Sequence, residues 1–189
     1  QNLRYKLDTT KTLTPQDSNV SQNWTPTRST ETILTGRWDQ DPEGQNTVRS
    51  YINPTIPNNG AYYTNNAATA GTSANVTANG QDAPNSICPK GWKLPRTTNI
   101  ADSSNNEFYQ MAKHYKGATT WTGSDDWGDW LNGTHSMVTG APNYLLSGTR
   151  SLSSPEVSHL NTFGHYWSST LFEADKAYKL NVGTDAIHP

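Results

Sequence analysis

The chain has 189 residues, a length that suits one domain with its own core and leaves little room for a second. Its formal net charge of −2 and its scattered Lys and Arg exclude the basic stripe that nucleic acid or an anionic membrane requires. It has no apolar run long enough to span a bilayer, so we expect no membrane insertion by this chain. Because Leu, Ile, Val and Phe are scarce, its 7 Trp and 9 Tyr must supply much of the core. Its 1 Cys cannot form an internal disulfide.

The first half of the chain is polar and contains few candidates for regular structure. Leu3, Tyr5 and Leu7 alternate with polar residues, which predicts a half-buried strand. Residues 61–63 predict a short strand. The small and polar residues at 65–84 predict a long surface loop.

One helix is predicted, from Ser104 to about Lys116. Ser104 and Glu107 have the spacing of a capping box. The apolar residues that follow fall on one helix face: Phe108, Met111, Ala112 and Tyr115. Three strand candidates come later, at 144–150, 165–170 and 177–182. One helix among short strands and long irregular loops predicts the α+β class.

Two strings resemble the signatures of the Fibrobacter succinogenes major paralogous (FISUMP) domain family. The opening signature is similar to Ser86 to Pro95, SICPKGWKLP, followed by a helix that carries Glu107 and Phe108. The closing signature is similar to LSGTR at 146–150, GHYWSST at 164–170 and AYKL at 177–180. The segments at 1–5 and 59–63 also fit, so the resemblance covers nearly all of the chain, 1–189, as a single domain.

This resemblance implies a C-type-lectin-like fold: small antiparallel sheets, one or two helices and long irregular loops at one end. It also implies export from a bacterium, to the cell surface or the medium. The family's first strand begins with residues that precede Gln1, so we expect the intact protein to extend further in the N-terminal direction.

The signature residues are predicted to be structural. Pro89 and Pro95 stiffen the segment, Gly91 permits a tight turn, and Trp92 and Trp167 offer large surfaces to the core. We expect Cys88 to be a small buried hydrophobic residue, with reactive chemistry as the alternative.

A loop rich in oxygen ligands is the candidate metal site. Asp125, Asp126, Asp129 and Asn132 would suit a hard cation, and calcium is the natural one, although the spacing is not that of an EF-hand. Carboxylates that only solvate a turn are the alternative.

Candidate ligand-binding residues lie in two predicted loops. Trp127 and Trp130 would stack on a sugar or a partner side chain, or would instead fill the core, and Asn132 would add hydrogen bonds to the ligand. His159 and Asn161 belong to the segment 151–164, which is either a recognition loop or an ordinary connection.

No pattern of the sequence points to catalysis. The five His lack zinc-binding spacing, and no nucleophile elbow, phosphate loop or dinucleotide fingerprint occurs. The formylglycine-generating enzymes also use an elaborated lectin-like fold, but their reaction needs two active-site cysteines.

We therefore predict a secreted or cell-surface module, not an enzyme, that binds a glycan or protein on another cell through its loops. The alternative is a structural subunit of an extracellular filament or surface layer, whose partners are copies of itself.

Overall fold

The computed structural model describes residue 3 and residues 5–27, 50–54, 59–73, 80–97, 105–116, 146–150, 157–173, 176–183 and 187–188. These ranges contain the helices α1 (Asn65–Ala68) and α2 (Glu107–Lys116). Their strands are β1 (Ser50–Tyr51), β2 (Tyr62–Tyr63), β3 (Thr149–Arg150), β4 (Val157–Ser158), β5 (Phe163–Glu173), β6 (Lys176–Gly183) and β7 (Ile187–His188). They form antiparallel sheets ordered β1-β2, β3-β4 and β5-β6-β7, which confirms the α+β class. Neither described helix has the length and apolar character needed to cross a bilayer.

The β5–β6 hairpin is the longest sheet element, and its strands lie where the sequence predicts them. Successive residues of a strand face opposite sides of a sheet. Leu180 and Val182 share one face and are both 0% exposed, so this face belongs to the core. The half-buried His165 and Trp167 lie on the other face, and Trp167 Nε1 donates to Tyr63 O at 2.8 Å.

The pairing of β5 with β6 is interrupted between Trp167 and Leu171, at the Ser-Ser-Thr of the closing signature. There the strand bonds to the opening signature and its flanks instead. Ala83 N donates to Ser169 O at 2.8 Å, and Ser169 N donates to Pro95 O at 2.9 Å. Thr97 N donates to Thr170 Oγ1 at 3.0 Å. The two signature segments therefore form one hydrogen-bonded unit.

The predicted helix is present as α2, but its predicted cap is wrong. The side chain of Asn106 caps the helix, because Asn106 Oδ1 accepts from Tyr109 N at 2.9 Å. Glu107 turns away from any capping box and accepts from Arg96 N at 2.7 Å. Ser104 lies outside the described residues. Phe108 is 1% exposed, as its place on the predicted apolar face requires.

The surface loop predicted at 65–84 is wrong in its first part, which is helical and buried. Thr64 caps α1 through its hydroxyl, which accepts from Ala67 N at 3.3 Å. Ala67 is 0% exposed and packs with Leu7, while Tyr5, Trp24 and Tyr63 cover this pair. Small side chains allow that close approach.

The predicted N-terminal strand keeps its burial pattern but not its strand pairing. Leu7 is buried, whereas Leu3 and Tyr5 are half-buried. These residues form no described strand, and are held instead by single bonds. Ala61 N donates to Leu3 O at 3.1 Å, and the Tyr63 hydroxyl donates to Tyr5 O at 2.7 Å.

Candidate functional site

The predicted calcium and tryptophan loop lies outside the described residues. This applies to its candidate metal ligands and stacking residues alike: Asp125, Asp126, Trp127, Asp129, Trp130 and Asn132. Within the described part of the chain, no group of three His, Cys, Asp or Glu side chains is placed to hold a metal ion. The calcium site therefore stays a prediction.

His159 and Asn161 come together in the exposed turn between β4 and β5. Both have left-handed backbone conformations, with φ of 57° and 62°. Phe163 N donates to His159 O at 3.0 Å, and Asn161 N donates to Leu146 O at 2.8 Å. The His159 ring packs edge-on against Phe163, with centroids 5.5 Å apart. The histidine thus has a structural contact, while the Asn161 side chain is exposed to solvent.

The prediction that Trp92 belongs to the core is wrong, because its side chain is 73% exposed. It ends a β-turn in which Trp92 N donates to Pro89 O at 2.9 Å and Gly91 has a φ of +84°. That left-handed conformation favours glycine, as the sequence predicts for a tight turn. The segment's buried hydrophobic residue is Ile87, at 3% exposure.

Two backbone hydrogen bonds join the turn that carries Trp92 to a second turn at 14–19. Asn19 N donates to Cys88 O at 2.9 Å, and Lys90 N donates to Asp17 O at 2.9 Å. These bonds fix the backbone on which the exposed indole stands. The chain therefore presents a large aromatic surface from a rigid support.

A polar cleft of about 160 Å³ opens beside this turn. Its walls come from the opening signature and its flanks, from β5 and from the turn at 14–19: Asn19, Asp82, Ala83, Pro84, Asn85, Ser86, Lys93, Leu94, Arg96 and Ser169. The segment 82–96 is bonded to β5 through Ala83 and Pro95, so these bonds hold two walls of the cleft together. We call this site the polar cleft.

The charged groups around the polar cleft are paired. Arg96 Nε pairs with Asp82 Oδ2, and Lys93 Nζ lies 2.6 Å from Glu107 Oε1. The Thr170 hydroxyl also donates to Asp82 Oδ1 at 2.5 Å. Burial raises the pKa of Glu107, but the hydrogen bonds and charges of Lys93 and Arg96 outweigh it and bring that pKa below its usual value.

Asn85 lies in the cleft wall and is 7% exposed. Its Oδ1 accepts from Ser21 N at 3.0 Å, which fixes the orientation of the amide. Its backbone N donates to Thr72 Oγ1 at 3.3 Å. Neither of the hydrogen bonds described for Asn85 uses its Nδ2 group, so this amide supplies an oriented donor to the cleft wall.

Cys88 is a free thiol and is half-buried, not fully buried as expected. Burial raises its pKa, while a bond with the Ser86 hydroxyl acts in the opposite direction. The reactive thiolate is therefore disfavoured at neutral pH.

Sequence reasoning missed a histidine–lysine pair on the non-core face of the β5–β6 hairpin. Lys179 Nζ lies 3.0 Å from His165 Nδ1. Burial and the charge of Lys179 lower the pKa of His165 from 6.5 to about 4, although a bond with Asn181 opposes the shift. The side chain is consequently neutral at physiological pH.

We expect this histidine to couple stability to pH. The unfolded chain binds the proton at about pH 6.5, and the folded chain only near pH 4. Stability is therefore complete above pH 6.5 and falls as the pH is lowered from there toward 4. Urea unfolding from pH 7.5 to 4.5 should show that loss, and His165→Gln should reduce it. An unchanged pH dependence in His165→Gln would contradict the assignment.

Comparison with models of protein families, with curated proteins and with solved structures finds no match for this chain. The polar cleft was not predicted either, because Asp82, Asn85 and Arg96 form no motif in the sequence. The available signal was the opening signature itself, whose flanks carry all three residues.

Proposed function

We propose that the chain is an extracellular or cell-surface bacterial recognition module of the FISUMP, C-type-lectin-like type, which binds a glycan or protein on another cell. The observation that carries this proposal is the exposure of Trp92 on its braced turn. The signature unit around it serves as the rigid support.

An exposed tryptophan leaves a large apolar surface in contact with water, which a binding partner can cover. Tryptophan buries about 150–250 Å² when it is covered, and each Å² of apolar surface removed from water contributes about 25 cal/mol. Trp is also among the residues most enriched at the energetic centres of interfaces. A turn fixed by Asn19 and Lys90 backbone bonds reduces the entropy lost when a partner binds.

The packing of the signatures supports a scaffold role for them. The backbone bonds of Ala83 and Pro95 to Ser169 make the opening and closing segments one unit. A recognition module needs such a support, because binding groups on a rigid scaffold keep their relative positions.

Replacing Trp92 by alanine should abolish most of the binding with little effect on folding, since its side chain is largely in solvent. Truncating an interface centre costs about 2 kcal/mol or more, or roughly 30-fold in affinity. The measurement is binding of the purified chain to a glycan array and to an array of cell-surface proteins, with and without calcium.

Two control variants match this change. Lys90→Ala alters the same turn, and Phe172→Ala removes another exposed aromatic, 41% exposed, on β5. Both should bind like the unaltered chain. Equal binding by Trp92→Ala would contradict the proposal, and concentration-dependent polymers without binding would favour the structural subunit instead.

A further inference from the structure

We propose that the polar cleft binds one neutral, hydroxyl-rich ring, that is, a single sugar unit of a glycan. This inference rests on the proposed recognition function and names the ligand class of one site within it. It is carried by the donors, acceptors, charge and size of the cleft.

The cleft offers an oriented donor at its wall. Asn85 is more than nine-tenths buried, and its Oδ1 is already engaged by Ser21 N. The remaining Nδ2 group can satisfy its hydrogen-bonding capacity with a ligand oxygen. An amide fixed in this way selects a ligand that presents an acceptor at that point.

Acceptors also line the cleft. The Asp82 carboxylate accepts a hydrogen bond from the Thr170 hydroxyl and pairs with Arg96. Its two oxygens have further lone pairs that can accept from a ligand. The Ser169 hydroxyl donates to Asp82 Oδ1 at 3.4 Å, and its oxygen keeps lone pairs that can accept from a ligand. Donors and acceptors together match a sugar, whose hydroxyl groups both donate and accept.

The charge balance favours a neutral ligand. The positive charges of Lys93 and Arg96 are matched by the negative charges of Glu107 and Asp82. An anionic ligand would have to displace a carboxylate, and a cationic one would have to displace an ammonium or guanidinium group. A neutral ring can add hydrogen bonds to the pairs without breaking them.

The size of the cleft limits the bound unit. Its volume of about 160 Å³ lies below the roughly 300–1,000 Å³ of pockets for drug-sized ligands. One ring is the unit that such a space suits, with the rest of a glycan outside. Trp92 directly precedes Lys93 of the cleft wall in the chain, so the exposed tryptophan and the cleft belong to the same segment.

Calorimetric titration with neutral sugars tests the assignment. The series is glucose, galactose, mannose, N-acetylglucosamine, lactose and cellobiose, with glucuronate as the charged comparison. We expect at least one neutral sugar to bind, and glucuronate to bind at least tenfold more weakly than glucose. Asn85→Asp keeps the acceptor for Ser21 N but replaces the free donor by oxygen, and should weaken binding at least tenfold.

Asn23→Asp is the matched control, because it makes the same change at an exposed residue outside the cleft and should leave the affinity within twofold. Thermal unfolding identifies any variant that fails to fold. In that event, Arg96→Gln, on the exposed side of the cleft, should weaken the same sugar at least threefold.

Two results would overturn this inference: no neutral sugar binds, or binding is unchanged in both Asn85→Asp and Arg96→Gln. The recognition function would still stand if array binding were lost in Trp92→Ala. Loss of both sugar binding and the dependence on Trp92 would contradict the proposed function as well. If no sugar bound and a protein from the array bound in a way that depended on Asn85, the inference would be wrong, and the cleft would instead bind a side chain of that protein.

Discussion

Replacing Phe108 by alanine is expected to lower the free energy of unfolding by about 3–5 kcal/mol, the usual cost of removing a buried aromatic ring. Phe108 is 1% exposed and lies in the first turn of α2, beside the buried Tyr109. A domain's total stability is about 5–15 kcal/mol, so this single change removes a large share of it. Urea unfolding followed by circular dichroism measures the loss.

Phe172→Ala is the control for this prediction, because it removes the same atoms from a side chain that is 41% exposed. It loses the edge-on contact with Tyr178, at a centroid distance of 5.5 Å, which contributes about 0.5–1.5 kcal/mol. Equal destabilisation by the two variants would show that the α2 core is not where the structure places it.

Gly148→Ala is expected to cost about 2–5 kcal/mol. An added Cβ would lie 2.6 Å from Ser158 O and 2.8 Å from Val157 Cγ1, so the β3–β4 pairing would have to shift. The φ of +77° adds a second penalty. A left-handed conformation costs a non-glycine residue about 1–2 kcal/mol, and overpacking about 1–3 kcal/mol.

Gly91→Ala separates these two penalties. Its φ is +84°, but an added Cβ would meet nothing within 4 Å. It should therefore lose only the backbone contribution of about 1–2 kcal/mol in the same urea experiment. If Gly91→Ala were as damaging as Gly148→Ala, the steric contact with Ser158 would not be the cause.

The elements with strong periodicity were predictable from the sequence. In α2, apolar residues recur with helical spacing from Phe108 onward, and in β6 buried residues alternate through Leu180 and Val182. In both cases one apolar face must be buried, which selects the period of the element. The α+β class follows from these elements alone.

The other features depend on contacts that no periodicity records. The helix α1 has four residues, and Ala67 is buried because larger residues from distant segments cover it. Trp92 is exposed because a braced turn directs it outward, although its residue type predicts burial. Asp82 reaches the cleft because its segment bonds to β5 where the β5–β6 pairing is interrupted, and Asn85 does so because bonds with Ser21 and Thr72 hold it there.

The break in β5 connects the fold with the proposed site. Ser169 and Thr170 pair with the segment that contains Asp82 and Pro95, and the same pairing closes one wall of the polar cleft. Ser169 of the closing signature lines the cleft itself, and Trp92 of the opening signature is the exposed residue proposed to contact a partner. The signature segments would thus position the binding groups and also supply some of them.

A nuclear magnetic resonance titration of the ¹⁵N-labelled chain tests the central claim most directly, with the neutral sugar that binds most tightly in the calorimetric series. We predict the largest shifts at the Asn85 side-chain amide, the Trp92 indole N–H and the backbone N–H of Ser169, which would place the ligand in the polar cleft beside the exposed tryptophan. Shifts confined to other parts of the chain, such as the turn of His159 and Asn161, or no shifts at all, would contradict it.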